Sequence, residues 1–330
     1  MAVSFALPLA ASAPVQVAHA SAHPHLQKLV VAAKACGPLR VAIAYPCDAA
    51  SLGAAIEAAR AGLITPLLVG PSARMQAVAE QSGLDLTSME IVDTVNDPRL
   101  AATHAASLCR DGKAAALMKG SLHTDELLGA AVSREAGLRG GSRASHAFVL
   151  DVPGMERPLV LTDCVVNIEP GLMEKRDIAQ NAIYLAHAIG IKKPRLAVLS
   201  AVENINPAIA STLDAAVLCK MADRGQITGA VLDGPLAYDN AISSVSAINK
   251  GIVSEVAGRP DILLLPNLEA GNMVYKQLVY MAGAECAGLV LGMKVPIILT
   301  SRSDSITARI TSCALAVLVA ARSADPGARA

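Results

Sequence analysis

From residue 40 onward, short apolar runs and helix-periodic segments take turns along the chain. Residues 40–45, 65–70 and 114–118 are almost unbroken apolar runs. Helical patterns occupy 51–62, the stretch from Pro71 to Gly83, a segment opened by Asp97 and Pro98 that ends near Arg110, and 124–136. A short strand is expected at 90–93. A strand with one wet face alternates polar and apolar residues, whereas one covered on both faces does not. Continuous apolar strands separated by helices therefore predict an α/β fold, with parallel-rich sheets flanked by helices. The composition allows this: of 330 residues, 53% are hydrophobic and 17% charged, so much of the chain must be buried.

A Gly-rich break at 138–143 changes the rhythm. Residues 146–152 and 157–163 read as two strands joined by Pro153-Gly154, which is hairpin chemistry. Alternation then resumes, with helices expected at 173–189, 211–224 and 272–282 and strands at 195–200, 229–233, 261–266 and 287–291. The strand at 296–300 resembles the N-terminal strands more than its neighbours. The expected organisation is a flexible leader over 1–25, one α/β domain formed by 26–143 plus 294–330, and a second formed by 144–293.

The leader has no Lys or Arg before Lys28, so it lacks the basic start of a signal peptide. His19, His23 and His25 are read as parts of a solvated tail. The most apolar late segment, 313–321, is too short to span a bilayer. Seven dispersed cysteines without C-x-x-C spacing fit free thiols in a reducing cytoplasm, and no His joins them at zinc-ligand spacing. Lys+Arg and Asp+Glu balance at 28 each, and aromatics are 2% with no Trp. Neither a basic field nor a stacking platform for nucleic acid is present.

The stretch 296–305 (Pro-Ile-Ile-Leu-Thr-Ser-Arg-Ser-Asp-Ser) is an apolar strand emptying into a polar turn before a helix expected at 306–321. That arrangement aims unpaired N–H groups and the positive end of a helix dipole at an anion. Arg302 adds a planar, permanently charged fork suited to phosphate. A second reading fits the same residues: Ser303, Asp304 or Ser305 simply caps the helix. Other strands end in similar turns, at Lys119-Gly120, Asp163, Asp233-Gly234-Pro235 and 266–272, and open α/β sheets bind ligands beyond the carboxyl ends of their strands. Each turn also has a plain structural reading, as a tight turn or a helix cap at Asn272. Structural roles are expected for His123, His146 and His187, with His146 at the cleft edge.

Together these turns resemble the phosphate acetyltransferase and phosphate butyryltransferase family, the phosphotransacylases. The similarity runs from about Leu26 to the C-terminal helix. It is carried by 117–128 (Leu-Met-Lys-Gly-Ser-Leu-His-Thr-Asp-Glu-Leu-Leu), 211–226, 233–243 (Asp-Gly-Pro-Leu-Ala-Tyr-Asp-Asn-Ala-Ile-Ser), 266–273 (Pro-Asn-Leu-Glu-Ala-Gly-Asn-Met) and 300–305. The resemblance implies two α/β domains of the isocitrate/isopropylmalate dehydrogenase type, an interdomain cleft and a homodimer. It implies the reaction acyl-CoA + phosphate ⇌ acyl phosphate + CoA, with CoA as a substrate and no metal or tightly held cofactor. Ser301 and Arg302 match the family pair that contacts phosphate. Thr124, Arg143 and Ser145 lie in segments resembling the opposite cleft wall, and Lys119, Asp163, Asp233 and Asn272 complete the expected binding set. Acetyl-specific relatives place an aspartate six residues beyond the arginine, where this chain has Ala308. Asp304 is then a candidate base, with helix capping as its alternative. Two other functions are weighed: a non-catalytic acyl-CoA or acyl-phosphate binding subunit, and a metal- and NAD-dependent decarboxylating dehydrogenase. No dinucleotide fingerprint or aspartate cluster supports the latter.

Overall fold

A computed structural model describes residues 23–299 and 304–324. The first part of the chain runs α1 (Pro24–Ala35), β1 (Leu39–Ala44), α2 (Ala49–Arg60), β2 (Ile64–Gly70), α3 (Ser72–Ser82) and β3 (Glu90–Asp93). It continues with α4 (Pro98–Arg110), β4 (Ala116–Lys119) and α5 (Thr124–Val132). A hairpin of β5 (Ser145–Asp151) and β6 (Leu159–Thr162) follows. Next come α6 (Leu172–Ala188), β7 (Arg195–Leu199), α7 (Ala210–Asp223), β8 (Val231–Leu236), α8 (Tyr238–Ile242) and α9 (Ser244–Asn249). The last elements are β9 (Ile262–Leu264), α10 (Leu268–Tyr280), β10 (Glu285–Leu291), β11 (Ile297–Ile298) and α11 (Ile306–Ala324).

Among the described residues the strands form one 11-stranded sheet, in the order β3-β2-β1-β4-β11-β10-β5-β6-β9-β7-β8. The five strands from β3 to β11 are parallel, as are the four from β6 to β8. Between them, β11–β10, β10–β5 and β5–β6 are antiparallel pairs. The two parallel halves expected from the sequence are thus continuous through a central antiparallel seam. β11 lies beside β4, with Ile297 opposite Leu117, so the late strand does return to the N-terminal ones.

Successive strand residues point to opposite faces, and β5 shows both faces covered. Ala147 and Val149 join the larger core, shared with α1, α6 and α11, while Phe148 and Leu150 join a second core under α10. Helix starts follow local chemistry. The Asp48 carboxylate accepts the Ser51 N–H to open α2, and Asp97 accepts those of Arg99 and Leu100 to open α4.

Several expectations are corrected. α10 starts at Leu268 rather than 272, because the Asn267 side chain accepts the Ala270 N–H and is the cap; Asn272 lies inside the helix. The sequence reading assigns no helix to α1, α8 or α9. His23 and His25 are not solvated: each donates a ring N–H to the β5–β6 hairpin, at Asp151 O (3.2 Å) and Met155 O (3.1 Å). The Asp151 carboxylate accepts the N–H groups of His25 and Leu26, so a distant strand supplies the polar partner for the first turn of α1. α11 is also longer than the apolar run at 313–321 suggested. By length and composition it could cross a membrane (19 residues, mean hydropathy 1.4), yet 61% of that window is buried within the fold, against α1, α2 and β10.

Candidate active site

The end of β4 is fastened to the end of β1. Gly120 N–H donates to Ala44 O (2.9 Å), and Ser121 donates to Tyr45 O through both N–H (2.9 Å) and hydroxyl (2.8 Å). Cys47 N–H donates back to the Ser121 hydroxyl (2.8 Å). This lacing fixes the backbone around Lys119, whose ammonium donates to Leu122 O (3.2 Å) and is largely buried. α5 then starts at Thr124, with the Glu126 carboxylate accepting His123 N–H (2.9 Å).

At the head of α11, the Ser305 hydroxyl accepts the Ala308 N–H (2.9 Å) and donates to Glu285 (2.9 Å). Ser305, one of the three residues the sequence offers for that role, therefore caps the helix. α10 approaches from the second core. Gly271 makes that approach possible: a Cβ there would lie 2.5 Å from Asp163 O and 3.1 Å from Cys164 Cα. One residue on, the Asn272 amide donates to Cys164 O (3.3 Å).

These elements enclose a cavity of about 540 Å³. Four expected residues line it: Lys119, Thr124, Asn272 and Asp304. His146, Phe148, Tyr275 and Lys276 line it as well. Among the described lining residues two lysines, Lys119 and Lys276, face one carboxylate, Asp304, a balance suited to an anionic ligand and a transferable proton. The other wall is apolar, with Leu122, Leu299 and the rings of Phe148 and Tyr275.

The other expected residues that the structure describes do not line this cavity. Ser301 and Arg302 fall outside the described residues; Leu299 and Asp304, which bracket them in sequence, both line the cavity. Arg143 lines a separate cavity of about 400 Å³, donating to Asn167 (2.9 Å) and pairing with Glu174 (3.0 Å). The Ser145 hydroxyl is buried and accepts the Asn181 amide (2.8 Å). Asp163 is only 2% exposed. Its carboxylate accepts N–H groups of His146, Val165, Val166 and Asn167, and the Asn167 amide at 2.6 Å. Asp163 thus anchors the turn after β6. Asp233 sits on β8, the far edge strand, and accepts the Gly234 N–H.

Residues 96–317 match the family described as "Phosphate acetyl/butaryl transferase". The chain belongs to this family. A phosphate acetyltransferase of Rhizobium meliloti is 55% identical over 295 residues, covering 89% of this chain and 93% of the relative. A phosphate butyryltransferase of Clostridium beijerinckii is 45% identical over 283 residues, 86% of this chain and 93% of the relative. A solved branched-chain phosphotransacylase from Enterococcus faecalis V583 superposes with TM-score 0.75 at 28% identity, covering 86% of this chain and 99% of that one. The α/β fold is therefore that of the phosphotransacylases.

Within this member of the phosphotransacylase family, sequence reasoning overlooked Phe148, Tyr275, Lys276 and Tyr280. A usable signal was rarity: of two Phe and five Tyr in the chain, Phe148, Tyr275 and Tyr280 line one cavity. Phe148 and Tyr275 stack with centroids 3.9 Å apart, and His146 meets Phe148 edge-on at 4.3 Å. Burial lowers the His146 pKa to about 4, against the pull of Asp163, so the ring is neutral at pH 7. Burial, then Asp163, pushes the Cys164 thiol well up, and burial raises Cys286 to about 12. Both are thiols rather than thiolates, which disfavours a covalent acyl-cysteine route.

Proposed function

We propose that this cavity carries the reversible transfer of a short acyl group between CoA and inorganic phosphate, by direct attack in a ternary complex. The single observation behind the reading is the convergence of Lys119, Thr124, Asn272 and Asp304 on one cavity, beside an apolar aromatic wall. In the direction of acyl-CoA synthesis, the CoA thiol gives its proton to the Asp304 carboxylate. The sulfur attacks the carbonyl carbon of the acyl phosphate, the bond from that carbon to the bridging oxygen breaks, and phosphate leaves with that oxygen and the electron pair. Ser305 caps α11, so Asp304 is not required for that task. Arg302 neutralises the phosphoryl group and Ser301 donates a hydrogen bond to it, as the family resemblance implies. Lys119, Thr124 and Asn272 hold the anionic substrate. Arg143 and Asp163 act through the turn after β6 that they fasten, and Ser145 through its bond to Asn181 on α6. CoA enters as a substrate, and because no oxidation state changes the step calls for no redox cofactor.

The same reading extends to organisation. One domain starts with α1 at Pro24, so the leader is shorter than expected, and runs to 143 with the addition of 294–330; the other is 144–293. A homodimer is supported by apolar side chains open to solvent on and after α9: Val245, Ile248 and the fully exposed Val253. The seven free cysteines favour a cytoplasmic setting, the balanced charge argues against nucleic acid, and the burial of α11 argues against a membrane.

The test is phosphate-dependent release of CoA from acetyl-, propionyl- and butyryl-CoA by wild type, Arg302→Ala and Asp304→Ala. Wild type turns over; Arg302→Ala loses about 100-fold or more in kcat/KM, and Asp304→Ala about 10²–10⁴-fold. A folded wild type inactive in both directions overturns the reading.

A further inference from the structure

Gly288 lies in the interior of β10, directly opposite Phe148 on β5. A glycine there weakens a strand and leaves it nothing to pack, so its neighbours should explain it. They do. A Cβ at 288 would lie 2.7 Å from both Cε1 and Nε2 of His146, and 2.9 Å from Cδ1 of Phe148. Two residues apart on β5, His146 and Phe148 project from the same face of the sheet. Both rings lie across the bare backbone of Gly288. The Phe148 ring then stacks under Tyr275, whose hydroxyl accepts a weak hydrogen bond from the Cys286 thiol (3.7 Å). All three rings line the cavity, yet Phe148 is only 9% exposed, so the wall is packed from behind.

We infer that Gly288 sets the depth of the acyl pocket, by letting the edge-to-face pair of His146 and Phe148 settle onto its bare backbone, so that aliphatic acyl chains longer than acetyl fit against the aromatic wall. The inference rests on the acyltransferase reading above and names the substrate class of that site. A methyl at 288 lifts the two rings into the cavity and shortens it. Replacing Phe148 by Leu removes part of the wall and lengthens it. The two changes act on chain length with opposite signs, which a general loss of packing would not do.

The experiment measures kcat/KM with acetyl-CoA and with butyryl-CoA, phosphate in excess, for wild type, Gly288→Ala and Phe148→Leu. Each methylene in an apolar pocket is worth roughly tenfold or more in discrimination. The butyryl-to-acetyl ratio is therefore expected to fall at least about tenfold in Gly288→Ala and to rise in Phe148→Leu. Equal effects on both substrates, or ratios moving the other way, overturn the inference. So does a wild type that turns over acetyl-CoA but not butyryl-CoA. If Gly288→Ala fails to fold, Phe148→Leu decides alone: a rising ratio supports the pocket and an unchanged or falling one overturns it. A wild type without phosphate-dependent turnover of any acyl-CoA sinks the enzyme reading itself, which unmoved ratios in an active enzyme would not.

Discussion

The Asp163 carboxylate is enclosed and accepts four backbone N–H groups and one side-chain amide. Hydrogen bonds to a charged group contribute roughly 1.5–3 kcal/mol each, and a buried donor left without a partner costs about 1–3 kcal/mol. Asp163→Ala orphans several donors at once, and is expected to lower stability by about 3–5 kcal/mol, read as a fall in the urea midpoint. His146 makes a separate, pH-dependent contribution. Its ordinary value of 6.5 falls to about 4 on folding, so the unfolded chain takes up the proton first as pH drops. Stability from this residue is complete above pH 6.5 and is lost as pH falls towards 4, at most roughly 3 kcal/mol, with the opposing pull of Asp163 already contained in that shift. Denaturation midpoints for wild type should slope downward across that window, and His146→Gln should flatten the slope. At this scale the sequence was only half legible. Lys119 and Thr124 were visible because a strand, a turn and a helix start are written consecutively. Asp163 was expected to bind substrate because it ends a strand; nothing local shows Val165, Val166 and Asn167 folding back onto it while His146 donates from the neighbouring strand. Phe148 and Tyr275 meet only through pairing between distant segments.

α10 carries Asn272, Tyr275 and Lys276 to the cavity, and its height above the sheet is set by Gly271. Two effects compete in Gly271→Ala. Helix propensity favours alanine by about 1 kcal/mol, while the new Cβ meets backbone atoms of Asp163 and Cys164 that cannot swing aside. Overpacking of this kind costs about 1–3 kcal/mol, so the packing term wins. A net loss in the urea midpoint is expected, with a raised KM for CoA as α10 shifts outward. A variant more stable than wild type would show that α10 does not sit where described. The helix itself was legible from its period, but its start was misplaced by four residues. Asn267 and Asn272 are equally good caps on paper, and only the one whose side chain reaches back to Ala270 N–H serves.

Over the whole molecule, the two parallel halves were legible from apolar runs, and so was the return of the late strand, β11, to the first half. The single sheet was not, because the seam joining the halves depends on β10 pairing with both β5 and β11. If the exposed apolar residues of α9 and the turn after it meet a second copy, Ile248→Glu with Val253→Glu should convert a dimer to a monomer in light scattering; a monomeric wild type would exclude that interface. The position of β11 carries another implication. It is an interior strand between β4 and β10, and α11 covers the core that α1 also helps to close. Both emerge from the ribosome after every other element described. Until they do, β4 has an unpaired edge and α1 lacks its packing partner, exposed features that favour aggregation. The nascent chain therefore depends on shielding until translation has passed α11, and a product clipped before residue 296 would be cleared as misfolded rather than accumulate as a shorter enzyme.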